Sequence, residues 1–351
     1  MIVDAAKISR FSRESFIKLG MSEEDADTVT TTMLEADYRG IHSHGFLRLP
    51  IYVKRIKEKF IQVPSEVTVE METEAMAFLD GHYSAGQIVG KKTMEKAMEL
   101  ARNHGIGMAT AKHSNHFGIA AHYALMAAEQ NMLGIVMSNV EPLMPAVGGA
   151  EKVIGNNPIA FASPTAEGDP IVLDMALSNA PLGKILFAQA QGKEIPEGWG
   201  VDKNGESTTD PARVLDGGFL SPVAGPKGFG LAIFAEILTG VLTGSQFSKA
   251  IPSMYDMKEK QSISHFMLAI DLSKFVSEEE YGTRIKTLTS FVKHSKRAPG
   301  VDDIYMPGEI EFERERRNRK SGIAMEVNVL DELYQLADEL GVSLKDVVLQ
   351  D

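Results

Sequence analysis

Residues Gly225–Gly244 read GPKGFGLAIFAEILTGVLTG. A strand followed by GxGxxG and a helix would announce a doubly wound Rossmann sheet. No such unit occurs in this chain, and GPKGFG is the nearest pattern to it. It contains a proline, follows no clear strand and opens an apolar helix. A glycine-rich helix start offers free amides and a positive dipole end to a phosphate, and Lys227 adds charge. Equally, the glycines let the helix pack closely against a neighbour.

Outward from this stretch, the chain alternates. VTVEM and AMAFLD read as strands from about Val67 onward, followed by a helix through Lys91–Arg102, strand-like GIGMATAK, a helix through Ala120–Gln130 and strand-like LGIVMSN. IAFASP, PIVLDMA and HFMLAID add further strands, which indicates an α/β (α+β) fold. The polar segment GKEIPEGWGVDKNGESTTDP reads as a surface excursion. The beginning of the chain is helical. Ser22 and Asp25 have capping-box spacing, Ala26, Val29, Met33 and Ala36 recur at helical period, and Gly40 suits the helix end. After Pro307 the pattern is helical again, with EFERERRNRK and VLDELYQLADEL. The expected divisions are 1–65 (helical), 66–306 (α/β) and 307–351 (helical).

Composition bounds the function. The 351 residues are 44% apolar and carry a net charge of −12, which excludes nucleic acid as the main partner because phosphate binding needs concentrated Lys and Arg. The basic run Arg314–Lys320 is interleaved with glutamate and reads as a solvated helix face. There are no cysteines, which removes disulfides and thiolate chemistry and fits a reducing cytoplasm. Leu231–Gly244 contains Glu236 and falls short of the ~20 residues of a membrane span, so no membrane association is expected.

Histidine is scarce, nine in all, yet four fall in RGIHSHGFLRLPIY (Arg39–Tyr52) and HSNH (His113–His116). His42 and His44 would share one face of an extended segment, and His113 and His116 one face of a helix. Four imidazoles admit a zinc-dependent hydrolase as the alternative reading, although HExxH is missing and no metal is assigned. Ser43 lacks the G-x-S-x-G elbow of a serine nucleophile. Acid/base chemistry fits better: an imidazole titrates near neutrality, Arg48 can hold a carboxylate with its planar fork, and Tyr52 can add a hydroxyl.

Taken in order, RGIHSHGFLR, HSNHFGIA, GGAEKVIGNNPIAFASP, LDMALS, GPKGFGLAIFAEILTGVLTG, SMYD, SHFMLAID and YMPGE resemble the malate/L-lactate dehydrogenase family that lacks a Rossmann fold. That family includes ureidoglycolate dehydrogenase, 2,3-diketo-L-gulonate reductase and sulfolactate dehydrogenase. SMYD after GPKGFGL looks most like the ureidoglycolate branch. The resemblance implies a helical domain built from both chain ends, a central α/β domain binding NAD or NADP, and a homodimer with its active site near the interface. The GxxxG at Gly240–Gly244 allows close helix packing there or within the chain. It implies oxidation of a small 2-hydroxy acid (ureidoglycolate, malate or L-lactate), or reduction of the 2-oxo acid. In residue terms it makes His116 the proton acceptor and donor and His44 a second active-site histidine. Ser43, Arg48 and Tyr52 would contact substrate, with Arg48 as carboxylate clamp. Asp174, Met175 and Ala176, with Lys227, Gly228 and Glu309, would contact the cofactor. Two positions depart from the pattern: DMATS reads DMALS at Leu177, and Ser-Asp-Pro of the ureidoglycolate branch reads Val140-Glu141-Pro142, where Glu141 replaces the acid at a substrate-contacting position.

Overall fold

The computed structural model describes residues 1–349. Its centre is a seven-stranded sheet of β1 (Thr68–Glu72), β2 (Met76–Asp80), β3 (Ile106–Ser114), β4 (Met132–Ser138), β5 (Ile159–Ser163), β6 (Ile171–Met175) and β7 (Ile263–Asp271). The spatial order is β1-β2-β3-β7-β4-β5-β6. Only β2 and β3 run parallel; every other neighbouring pair is antiparallel. A parallel pair needs a crossover, and helix α4 (Gly86–His104) supplies it. The last strand in sequence, β7, lies between β3 and β4, where it is buried along most of its length. A near-continuous apolar run is what a strand covered on both faces requires. Helix α5 (Ala120–Ala128) joins α4 over the sheet, with Ala97, Ala101, Ala124 and Ala127 against Ala109, Ala111, Ala160 and Ala269.

The two chain ends form a second layer. Helices α1 (Ala5–Lys18), α2 (Glu23–Tyr38) and α3 (Leu49–Lys57) share one core with the C-terminal helix Val327–Leu340: Phe11, Phe16, Met33, Phe46 and Leu49 meet Val329, Leu333, Leu336 and Leu340. Each such side chain contributes about 1.5–3 kcal/mol on burial. Ile2–Val3 pairs with Ile323–Ala324, and the terminal amine donates to Met325 O at 2.9 Å. Asp4 caps α1 through the amides of Ala6 and Lys7, and Ser22 accepts from Asp25 N to cap α2, as its spacing predicted.

A third core corrects one expectation. The polar segment 192–211 is not a plain surface excursion, because Ile195 is buried with Val214, Leu220, Leu177 and Ile154, and Trp199 packs against them. Gly200–Val201 pairs with both Ser207–Thr208 and Phe219–Leu220, and Asp202 Oδ1 accepts from the amides of Asn204 and Glu206 to shape the turn. Isolated apolar side chains anchor an otherwise hydrophilic ribbon, which a window average hides. Among the described residues no helix is long and apolar enough to cross a membrane.

Candidate active site

The segment between α2 and α3 takes its shape from one buried carboxylate. After Gly40 (φ 76°) the chain makes two consecutive 3-10 turns, His42–His44 and Phe46–Arg48, and runs into α3 with Pro50 in its first turn. Asp37 Oδ2 accepts from Phe46 N at 2.8 Å, and Asp37 Oδ1 lies 2.8 Å from His42 Nδ1. That bond raises the His42 pKa. His42 and His44 therefore diverge: a turn, not an extended segment, separates them. His44 instead holds the Ser43 hydroxyl at its Nδ1, 2.8 Å away.

HSNH is not helical either. β3 continues through Ser114, His113 has φ 49° and its Nδ1 lies 2.8 Å from Asp80 Oδ2, while His116 follows on the loop to α5. So of the four imidazoles two are drawn off by carboxylates and two meet. His116 and His44 stack at 5.2 Å and 23°, and Tyr52 Oη lies 2.7 Å from His116 Nδ1. Among the described residues no three His, Cys, Asp or Glu are grouped to hold a metal ion, and the zinc-hydrolase alternative loses its geometry.

Burial, then His44 and Arg48, holds the His116 pKa well below the ordinary value. Burial and Arg48 likewise lower His44 to about 4, and burial pushes Tyr52 up to about 12. At neutral pH both rings are thus uncharged and the phenol keeps its proton. Arg48 donates from Nε to Ser43 O at 2.7 Å and from Nη1 to Tyr255 Oη, leaving Nη2 without a partner among the described residues. A guanidinium with a spare donor edge beside two neutral imidazoles suits a carboxylate ligand.

A cavity of about 380 Å³ is lined by Ser43, His44, His116, Glu141, Asp174 and Ala176 among others, while Arg48 and Tyr52 do not line it. Asp174 Oδ2 accepts from Ala121 N at 2.8 Å, at the start of α5, and burial raises its pKa to about 6. Glu141 Oε1 accepts from Ser253 Oγ at 3.3 Å. Met175 ends β6 without lining the void, and Leu177 is buried in the third core. The remaining expected cofactor positions are not brought to this cavity. Lys227 is exposed; Gly228 is buried on helix Pro226–Glu236, where a Cβ would stand 2.0 Å from Val223 O. Glu309 pairs with Lys293 at 2.5 Å and accepts from Met306 N, lining a separate cleft; it is Glu311 that faces the His116 void. A larger groove of about 900 Å³ lies under helix Glu278–Lys293, away from the histidines. Gly240 meets Phe247 and Gln246 of its own chain, whereas a Cβ on Gly244 would meet nothing within 4 Å, so of the GxxxG only the first glycine serves an intrachain approach.

Sequence reading missed Arg55, Asn115, Gln261 and Tyr255. Arg55 had a signal, since Arg48, Tyr52 and Arg55 recur at i, i+4 and i+7 on one helix face.

Two neutral rings in contact suit the exchange of a proton with a bound oxygen, which is what a non-Rossmann alcohol dehydrogenase asks of its protein part. The chain belongs to the malate/L-lactate dehydrogenase family, whose model matches residues 3–334, and is an oxidoreductase of the NAD(P)-dependent kind that acts on CH–OH groups. It is 40% identical to malate dehydrogenase of Pyrococcus abyssi over 332 residues (93% of this chain, 91% of the relative). It is 34% identical to ureidoglycolate dehydrogenase (NAD(+)) of Escherichia coli K12 over 336 residues, 94% of each chain. The solved sulfolactate dehydrogenase from Methanocaldococcus jannaschii superposes with a TM-score of 0.94 at 36% identity, covering 99% of this chain and 100% of the other. Identity to the malate and sulfolactate relatives thus exceeds that to the ureidoglycolate relative.

The lining of the His116 cavity fits a nicotinamide: the side-chain amide of Asn156 stands beside apolar Phe117 and Ile263, the mixture that an amide-bearing aromatic ring needs, while Ser138, Asn139 and Ser178 are bonded within the chain.

Proposed function

We propose that the protein interconverts a small 2-hydroxy carboxylate and its 2-oxo partner, with NAD or NADP held along Asp174, Ala176 and the adjoining cavity wall. Ureidoglycolate, malate and L-lactate are the candidate substrates. The bound nucleotide supplies hydride acceptance and donation. The protein's own part is proton handling and orientation. Tyr52 engages Nδ1 of His116, leaving Nε2 as the nitrogen free to exchange a proton with the substrate oxygen. For Nε2 to accept, Nδ1 carries the hydrogen and donates it to Tyr52 Oη. In the reductive direction Nε2–H protonates the nascent alkoxide. Tyr52 thereby positions the base, a role distinct from the direct substrate contact implied by resemblance. Arg48 fixes the carboxylate with its unengaged Nη2, and stacking holds His44 beside the reacting oxygen.

The observation that carries this reading is the bond between Tyr52 and His116, whose ring lines a cavity shared with His44 and Asp174. General acid/base help is typically worth about 10²–10⁴ in rate. His116→Ala is expected to lose turnover by that factor while nucleotide affinity, followed by titration of protein fluorescence, stays near wild type. Undiminished turnover would overturn the assignment. A panel of 2-hydroxy acids run with both nucleotides identifies the substrate.

The same reading includes a homodimer in the cytoplasm. Leu231, Phe234, Ile237, Val241 and Leu242 stand 45–56% exposed along one helical stretch, an apolar row that a second copy would cover. The absence of cysteine supports the location.

A further inference from the structure

Arg55 is 1% exposed, on the buried face of α3, and the family reading gives it no task. Its Nη1 donates to Met254 O at 2.8 Å and its Nη2 to Asn115 Oδ1 at 3.1 Å. Among the described residues Nε has no partner and no carboxylate pairs with the group. A buried cation whose hydrogen bonds all go to neutral acceptors, with the charge of Glu141 acting on it only from beyond pairing distance, is costly to desolvate, so its presence calls for a compensating use. Both acceptors belong to segments of the candidate site. Met254 precedes Tyr255, which braces Arg48, and Met254 Sδ itself lies 3.7 Å from Arg48 Nη1. Asn115 precedes His116, and its own Nδ2 donates to Tyr83 O at 2.9 Å and Ser84 O at 3.0 Å, pinning the turn from the other side.

We propose that Arg55 is a positioning residue, a two-armed strut that fixes the segment bracing the carboxylate clamp to the turn bearing the proton-transferring imidazole. It acts through Arg48 and His116 and touches no reacting atom, and the idea rests on the hydroxy-acid reading above. The fork matters because one planar group must reach two acceptors at once, which an ammonium on a single stem does not reproduce. The charge has a separate effect. His116 is faced by His44 and Arg48 from the preceding segment, by Tyr52 and Arg55 from α3, by His265 from β7, and across the cavity by the carboxyl groups of Glu141, Asp174 and Glu311; Arg55 is among the positive charges that disfavour the imidazolium.

Two variants separate arms from charge. Arg55→Gln removes the charge and one arm; Arg55→Lys keeps the charge and loses the fork. Steady-state oxidation is measured across pH, with nucleotide affinity determined independently, well below each variant's melting temperature. Both are expected to raise the KM for hydroxy acid at least tenfold with nucleotide affinity within twofold of wild type. The acid limb of kcat/KM is expected to move to higher pH in Arg55→Gln alone. Unchanged hydroxy-acid KM in both variants, or an equal loss of nucleotide and substrate affinity, overturns the strut. Should Arg55→Gln fail to fold, Arg55→Lys decides on KM alone. Wild type inactive on every hydroxy acid would instead defeat the parent reading; the strut is then judged by NMR of the His116 and Tyr255 rings, whose chemical shifts are expected to move in both variants, and unmoved shifts in Arg55→Lys overturn it.

Discussion

A hydrogen is all that Gly45 can carry. Its backbone angles, φ −84° and ψ −150°, are open to any residue, so the constraint is contact: a Cβ would stand 2.2 Å from the carboxylate of Asp37. That carboxylate holds Phe46 N and His42, and so sets the path of the chain between His44 and Arg48. Gly45→Ala is expected to cost about 1–3 kcal/mol, the usual range for overpacking, and to raise the KM for hydroxy acid by displacing Arg48. Urea unfolding with parallel kinetics checks both; an unchanged midpoint would show that Asp37 yields freely. At this level the sequence was partly legible. Arg48 and Tyr52 could be chosen from the chemistry of guanidinium and phenol, whereas only the family resemblance separated His44 and His116 from the other two imidazoles and gave Ser43 a substrate contact. The diversion of His42 to Asp37 and His113 to Asp80 could not be read, since it depends on a 3-10 turn and a positive φ.

Strand β7 shows what the layer of elements adds. It threads His265 through the centre of the sheet, fully buried, with Nδ1 2.9 Å from Ser138 Oγ on β4 and Nε2 2.7 Å from Ser114 Oγ on β3. Burial lowers its pKa to about 3, so it stays neutral in the fold at pH values where the unfolded chain, with an ordinary value near 6.5, takes up a proton. Below that ordinary value the unfolded state binds more protons, and stability must fall as pH falls. His265 alone is expected to remove roughly 2 kcal/mol by pH 5, from about 1.4 kcal/mol per unit. Denaturant curves between pH 7 and 5 test this against His265→Gln, which should show a shallower decline; equal slopes would mean that another group governs acid sensitivity. The strands themselves were legible, because β3 to β7 are apolar runs bounded by turn residues. HSNH was misread as a helix because its spacing of three says nothing about the strand that feeds it. The ribbon around Trp199 was misread because its few buried residues are diluted by charge.

Taken as one body, the protein leaves a stripe from Leu231 to Leu242 on the outside of the helix that begins at Pro226 and continues through a π-helical turn at Ile237–Val241. Sedimentation velocity is expected to return twice the chain mass, and Phe234→Asp with Val241→Asp is expected to return a monomer. A monomeric wild type would leave this stripe to some other partner. No Rossmann unit forms, because the sheet is almost wholly antiparallel, and in the glycine-rich opening of that helix Gly228 presses on Val223.

The shared core of Phe11, Leu49 and Leu333 has one more effect, on the order of events during synthesis. The ribosome makes Arg39–Tyr52 well before the helix that seals the layer beneath it, Val327–Leu340. Until then the sheet can assemble while the Arg39–Tyr52 strip waits with its apolar underside bare. In a nascent chain of this design that strip is therefore expected to take its final shape only when Val327–Leu340 folds back onto α1 and α3.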